Sequence, residues 1–102
     1  MTPMEAPSKA QILSEIQLMM KQLFKLEPAV VQPAARLQED LDLDSLDAID
    51  LAVKVEETTG VPLDEAKIPH LKTIEDVIVM IDHMIRNQGA KFPGWPPAAD
   101  QS

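Results

Sequence analysis

Ser45 is the residue of this chain best placed for chemistry. It lies in the run Asp40-Leu41-Asp42-Leu43-Asp44-Ser45-Leu46-Asp47-Ala48-Ile49-Asp50-Leu51, where an acidic segment gives way to an amphipathic pattern. Apolar residues at 46, 49 and 53 have helical spacing, which predicts a helix beginning here with Ser45 as its N-cap. A hydroxyl at that position is exposed. The free N–H groups and partial positive charge of a helix start suit a phosphate attached to, or resting beside, that serine. A capping serine is commonplace, so the tripeptide alone leaves both readings open.

Other chemistries fit less well. Asp40, Asp42 and Asp44 occupy positions 1, 3 and 5 of a helix-loop-helix calcium pattern. Position 6 would be Ser45 where glycine is needed, and position 12 would be Leu51 where a bidentate glutamate is needed. His70 and His83 show no partner spacing, and no Gly-x-Ser-x-Gly elbow surrounds Ser45. The carboxylates fall on a polar face, without the burial that would raise one of a pair into an acid/base role. There is no cysteine, so the polypeptide supplies no thiol. The residues predict a protein that is not an enzyme, with no metal site.

The 102 residues suggest one domain with a modest core. Hydrophobic residues make up 45% but aromatics only 3%, so that core is aliphatic. No apolar run approaches the ~20 residues of a membrane span, and the N-terminus lacks a signal pattern. A cytoplasmic monomer without membrane insertion is expected. Between Leu37 and Ala66, ten acidic side chains face Lys54 alone, a larger negative charge than the −8 of the whole chain. Such a face disfavours nucleic acid and suits basic patches on other proteins.

The elements that must position Ser45 follow from periodicity. Residues 1–8, with Pro3 and Pro7, are expected to fray. Ser8 caps a first helix from Lys9 to about Lys25, with Ile12, Leu13, Ile16, Met19, Met20, Leu23 and Phe24 on its apolar face. Pro28 and Pro33 break the next stretch into a long loop, whose Leu26, Val30, Val31 and Leu37 are candidates to lie across the bundle. A second helix runs from Leu46 to about Thr59 and stops at Gly60. Its Leu46, Ile49 and Val53 form the expected buried stripe, widened by Ala48, Leu51, Ala52 and Val55, with Asp47, Asp50, Lys54 and Glu57 opposite. Asp64 caps one turn, Glu65–Ile68, before Pro69. Thr73, with Asp76 three residues on, opens a last helix buried through Ile74, Val77, Ile78, Ile81, Met84 and Ile85. The fold expected is all-α, an antiparallel four-helix bundle over residues 9–88 with three long helices and one short one. The Pro-rich segment 89–102 is expected to be a disordered tail.

In this setting the chain resembles the acyl carrier proteins. The resemblance rests on Glu39-Asp40-Leu41, Asp44-Ser45-Leu46-Asp47, Leu51, Glu56-Glu57, Leu63, Thr73, the apolar face after Ile74 and the long first loop. It implies that Ser45, between Asp44 and Leu46, carries 4′-phosphopantetheine through a phosphodiester, installed from coenzyme A by a phosphopantetheinyl transferase. That group supplies the thiol the sequence lacks. Candidates to line an acyl groove are Leu46, Ile49, Val53, Val61, Leu63, Ile68 and Leu71; Asp44, Asp47, Asp50, Glu56 and Glu57 are candidates for partner docking. The partners implied are the transferase, then ketosynthase, ketoreductase, dehydratase or acyl-loading enzymes with basic patches.

Three positions depart from the family pattern. Asp42 replaces a common glycine, Thr59 stands where an aromatic residue is common, and Lys54 interrupts the acidic face. The run from Asp42 to Leu51 is similar to carriers of aryl-polyene pigment pathways, with fatty-acid or other type II polyketide service close behind. An unmodified acidic adaptor for a basic partner, and an aminoacyl carrier, remain the alternative readings.

Overall fold

The computed structural model describes residues 8–63 and 65–88. Three helices follow in order, α1 Lys9–Phe24, α2 Ser45–Thr59 and α3 Ile74–Gln88, with 3-10 helices at Pro28–Val30 and Glu65–His70. Among the described residues there is no strand, only an isolated antiparallel bridge between Arg36 and Thr73. The expected short fourth helix is thus a 3-10 segment. It continues past Ile68 to His70, because the φ of Pro69 suits 3-10 geometry and Leu71 N–H still donates to the Ile68 carbonyl at 3.0 Å. The expected frayed start (apart from Ser8) and the tail lie outside the described residues. No helix among the described residues is long and apolar enough to cross a membrane.

Local sequence accounts for where the helices begin and end. Ser8 and Gln11 exchange bonds at the start of α1, and Thr73 and Asp76 do the same at α3. α2 ends on Gly60 at φ 76°, a left-handed conformation that glycine adopts without strain. Asp42 also takes the left-handed region, at φ 57°. That is the physical reason a glycine suits this position, and aspartate is among the few residues that tolerate it.

α1 packs on α3 and α2, and α2 packs on the second 3-10 helix. Ile12, Ile16, Met19 and Met20 meet Leu51, Val55, Ile74, Val77, Ile78, Ile81 and Met84 in an aliphatic core. The first loop closes over it. Val31, Leu37, Leu41 and Leu43 are buried and Leu26 is half-buried. Val30 and Leu23, expected on the apolar side, are exposed. The Gln17 amide holds the loop by donating to the carbonyls of Val31 at 3.0 Å and Pro28 at 3.3 Å.

The orientation of α2 corrects the sequence reading. Leu51, Ala52, Val55 and Thr59 are buried, while Leu46, Ile49 and Val53 are 69%, 42% and 45% exposed. Asp50 lies four residues after Leu46 and three before Val53, and Glu57 lies four after Val53, so burying that stripe would draw carboxylates toward the core. The row through Leu51 and Val55 begins at Asp47, whose carboxylate is engaged in the cap at the helix start, and its one buried polar member is Thr59. Its hydroxyl donates to the Val55 carbonyl at 2.8 Å and accepts from Val61 N–H at 3.3 Å, so it is buried with its bonds made.

Candidate attachment site and the groove beside it

Asp44, not Ser45, is the N-cap of α2. Its carboxylate accepts from Asp47 N–H at 2.9 Å, and the Asp47 carboxylate accepts from Asp44 N–H at 3.1 Å. A carboxylate one residue earlier took the role expected of the serine, because it reaches the same first-turn amide and also offsets the positive helix end. Ser45 therefore becomes the first helical residue, exposed, and among the described residues nothing bonds its hydroxyl. The backbone N–H groups of Ser45 and Leu46 likewise have no protein acceptor there. An exposed hydroxyl beside two open amides fits a phosphodiester.

The acidic candidates divide. Asp44 and Asp47 are held in the reciprocal cap, and half-buried Glu56 accepts from Leu63 N–H at 2.7 Å, which ties the α2 end to the following loop. Asp50 and Glu57 are exposed and form no bond or ion pair among the described residues. They share the outward ridge of α2 with Leu46 and Val53, an apolar surface expected to be buried instead.

A groove of about 630 Å³ opens at Ser45 and runs between the start of α2, the first loop and the segment leading into α3. Of the acyl-groove candidates, Ile49, Ile68 and Leu71 line it. Leu46, Val53, Val61 and Leu63 do not; the first two face solvent and the last two are half-buried against the core. Leu37, Leu43, Ala48, Leu51 and Pro69 complete the apolar lining, with Arg36, Gln38, Glu39, Lys72 and Thr73 at its polar parts. Leu43, Arg36, Gln38, Glu39, Lys72 and Thr73 escape a local reading because residues 35–43 and 69–74 meet through tertiary hydrogen bonds. Leu37 N–H donates to the Lys72 carbonyl at 2.9 Å, and Ile74 N–H to the Ala35 carbonyl at 3.0 Å.

The first loop is braced by charge. Arg36 pairs with Asp40 at 3.2 Å and with Glu39 at 3.1 Å, and Asp40 also accepts from Arg36 backbone N–H at 2.8 Å. Hydrogen bonding to Arg36 lowers the Asp40 pKa below its ordinary value and, from the other side, raises that of the guanidinium. The pair is open to solvent, so its contribution is small and salt-sensitive.

Comparison with known proteins agrees with this geometry. The family model described as a phosphopantetheine attachment site matches residues 14–81, a span that contains Ser45 and both walls of the groove. Acyl carrier protein 2 of Ralstonia nicotianae is 37% identical over 78 residues, covering 76% of this chain and 96% of that relative. The acyl carrier protein of Thermosynechococcus vestitus is 31% identical, with the same coverage of each chain. The meromycolate extension acyl carrier protein of Mycolicibacterium aurum is 29% identical over 79 residues, 78% of this chain and 81% of the relative. The chain belongs to the acyl carrier proteins, and is a carrier rather than a catalyst, whose working group is a covalently attached 4′-phosphopantetheine.

Proposed function

We propose that Ser45 is the attachment residue and that the protein carries acyl intermediates between separately encoded enzymes of a type II pathway in the cytoplasm, working as a monomer. The observation that carries this reading is the exposed Ser45 hydroxyl beside the groove, unbonded among the described residues. In the loading reaction the Ser45 oxygen forms a new P–O bond to the pantetheine phosphorus of coenzyme A. The pyrophosphate P–O bond breaks, adenosine 3′,5′-bisphosphate leaves, and the hydroxyl proton passes to a base of the transferase. The attached group supplies a thiol that holds acyl chains as thioesters.

The chain's own residues present that arm and its address. Asp44 and Asp47 fix the helix end so that the serine faces outward. The ridge of Leu46, Asp50, Val53 and Glu57 offers partners an apolar strip between carboxylates. Charges of this kind steer a basic partner in quickly, and the strip gives brief holding. The transferase, a ketosynthase, ketoreductase, dehydratase or an acyl-loading enzyme are the classes that fit. The similarity of the Asp42–Leu51 run to aryl-polyene carriers favours that pathway over fatty-acid and other polyketide service.

Intact-mass analysis of the apo-protein incubated with a broad-specificity transferase and coenzyme A tests the assignment. Wild type should gain one phosphopantetheinyl group and Ser45→Ala none. An unmodified wild type would favour the acidic adaptor, and equal modification of Ser45→Ala would move the attachment elsewhere.

A further inference from the structure

Four charged residues line the groove at Ser45, and three of them are already engaged. Arg36 is paired with Glu39 and Asp40, Glu39 with Arg36, and Asp44 with the helix end. Lys72 is the fourth. Its side chain is exposed and meets no carboxylate among the described residues. Its backbone is pinned on two sides, with its carbonyl accepting from Leu37 N–H and its N–H donating to Asp76 at 2.8 Å. Leu43 N–H in turn donates to the Leu37 carbonyl at 2.9 Å, so three backbone segments lie side by side from Lys72 to the start of α2. Lys72 and Leu43 are thus bonded to the two opposite polar groups of the Leu37 backbone, with Leu37, Leu43 and Leu71 as apolar lining of the groove between them.

From this placement we infer that the groove selects acyl cargo bearing a distal carboxylate, with the Lys72 ammonium as the group that reads it. The inference rests on the carrier function proposed above. A chain of net charge −8 repels an anion at long range, and Asp44 guards the mouth, so an anionic chain end needs a cation held away from Ser45. Lys72 is that cation. The apolar floor takes the methylenes of a chain that the arm folds back into the groove, which an uncharged chain would also use but without the anchor at its end.

The test uses the full chain loaded by a transferase with adipoyl, hexanoyl or 6-aminohexanoyl coenzyme A. Intact mass confirms loading and separates failure of the carrier reading from failure of this one. The readout is then the rate at which hydroxylamine cleaves each thioester, for wild type, Lys72→Gln and Lys72→Glu, with circular dichroism to confirm the fold. In wild type the adipoyl thioester should be cleaved about threefold more slowly than in Lys72→Gln, while the hexanoyl rates match. Lys72→Glu should transfer that protection to the 6-aminohexanoyl cargo. Equal adipoyl rates in wild type and Lys72→Gln, or an equal change for hexanoyl, would overturn the assignment.

Discussion

The two faces of α2 carry similar residues and do opposite work. Leu51 on the inner face is 3% exposed, while Leu46, five residues away on the same helix, is 69% exposed. Inward, Ala52 is buried alongside Leu51 and Val55, and Thr59 satisfies its own hydroxyl. Outward, apolar side chains alternate with carboxylates that bond to nothing else among the described residues. Hydrophobicity therefore did not decide which face was buried. The acids did, because a carboxylate taken from water without a partner costs far more than an exposed leucine loses.

The largest expected effect tests that contrast directly. Leu51→Ala should lower stability in urea denaturation by about 3 kcal/mol. Leu46→Ala should stay within about 0.5 kcal/mol of wild type. Comparable losses at both sites would place the outer ridge in the fold.

Next in size is the kinetic role of that ridge. Asp50→Lys with Glu57→Lys should slow phosphopantetheine transfer by about tenfold at low salt, with helical circular dichroism unchanged and the difference shrinking as salt rises. Asp47 is left out of this variant because it holds the cap, and its loss would mix docking with stability. An unchanged rate would remove the ridge from the docking surface.

A smaller contrast separates cap from attachment. Asp44→Ala should cost about 1 kcal/mol in thermal or urea unfolding, whereas Ser45→Ala should leave stability within about 0.3 kcal/mol. A larger loss at Ser45 would return the capping role to the serine.

The smallest effect belongs to the Arg36–Asp40 brace on the groove wall. Its aspartate pKa is lowered in the folded protein, so the pair contributes stability above the ordinary aspartate range and loses it as pH falls through the depressed folded value. The stability gap between wild type and Asp40→Asn should close on acidification and also at high salt. A gap that persists under both conditions would remove the ion pair as its source.

Much of this was legible in the residues. Ser8 with Gln11, Gly60, and Thr73 with Asp76 mark helix ends by chemistry that acts within one turn. On α3 the stripe expected from spacing is the one buried, Ile74, Val77, Ile78, Ile81 and Met84, with Ile85 half-buried and Val79 exposed. On α2, apolar residues at 46, 48, 49, 51, 52, 53 and 55 nearly encircle the helix, and the spacing of Asp50 and Glu57 from the outer stripe was the overlooked signal. Asp44 was overlooked as the cap for a related reason: two adjacent residues both had capping chemistry, and only the backbone path into the helix chose between them.

The sequence by itself determined a helical chain with aliphatic faces, its caps, its acidic surface and a serine at the head of the second helix. These follow from interactions within a few residues, which need no knowledge of the rest of the chain. Only the tertiary structure decided that the first loop would lie beside the segment leading into α3 and so wall the groove at Ser45. That outcome depends on backbone bonds between residues some 35 positions apart, such as Leu37 to Lys72, and no local pattern encodes such a meeting.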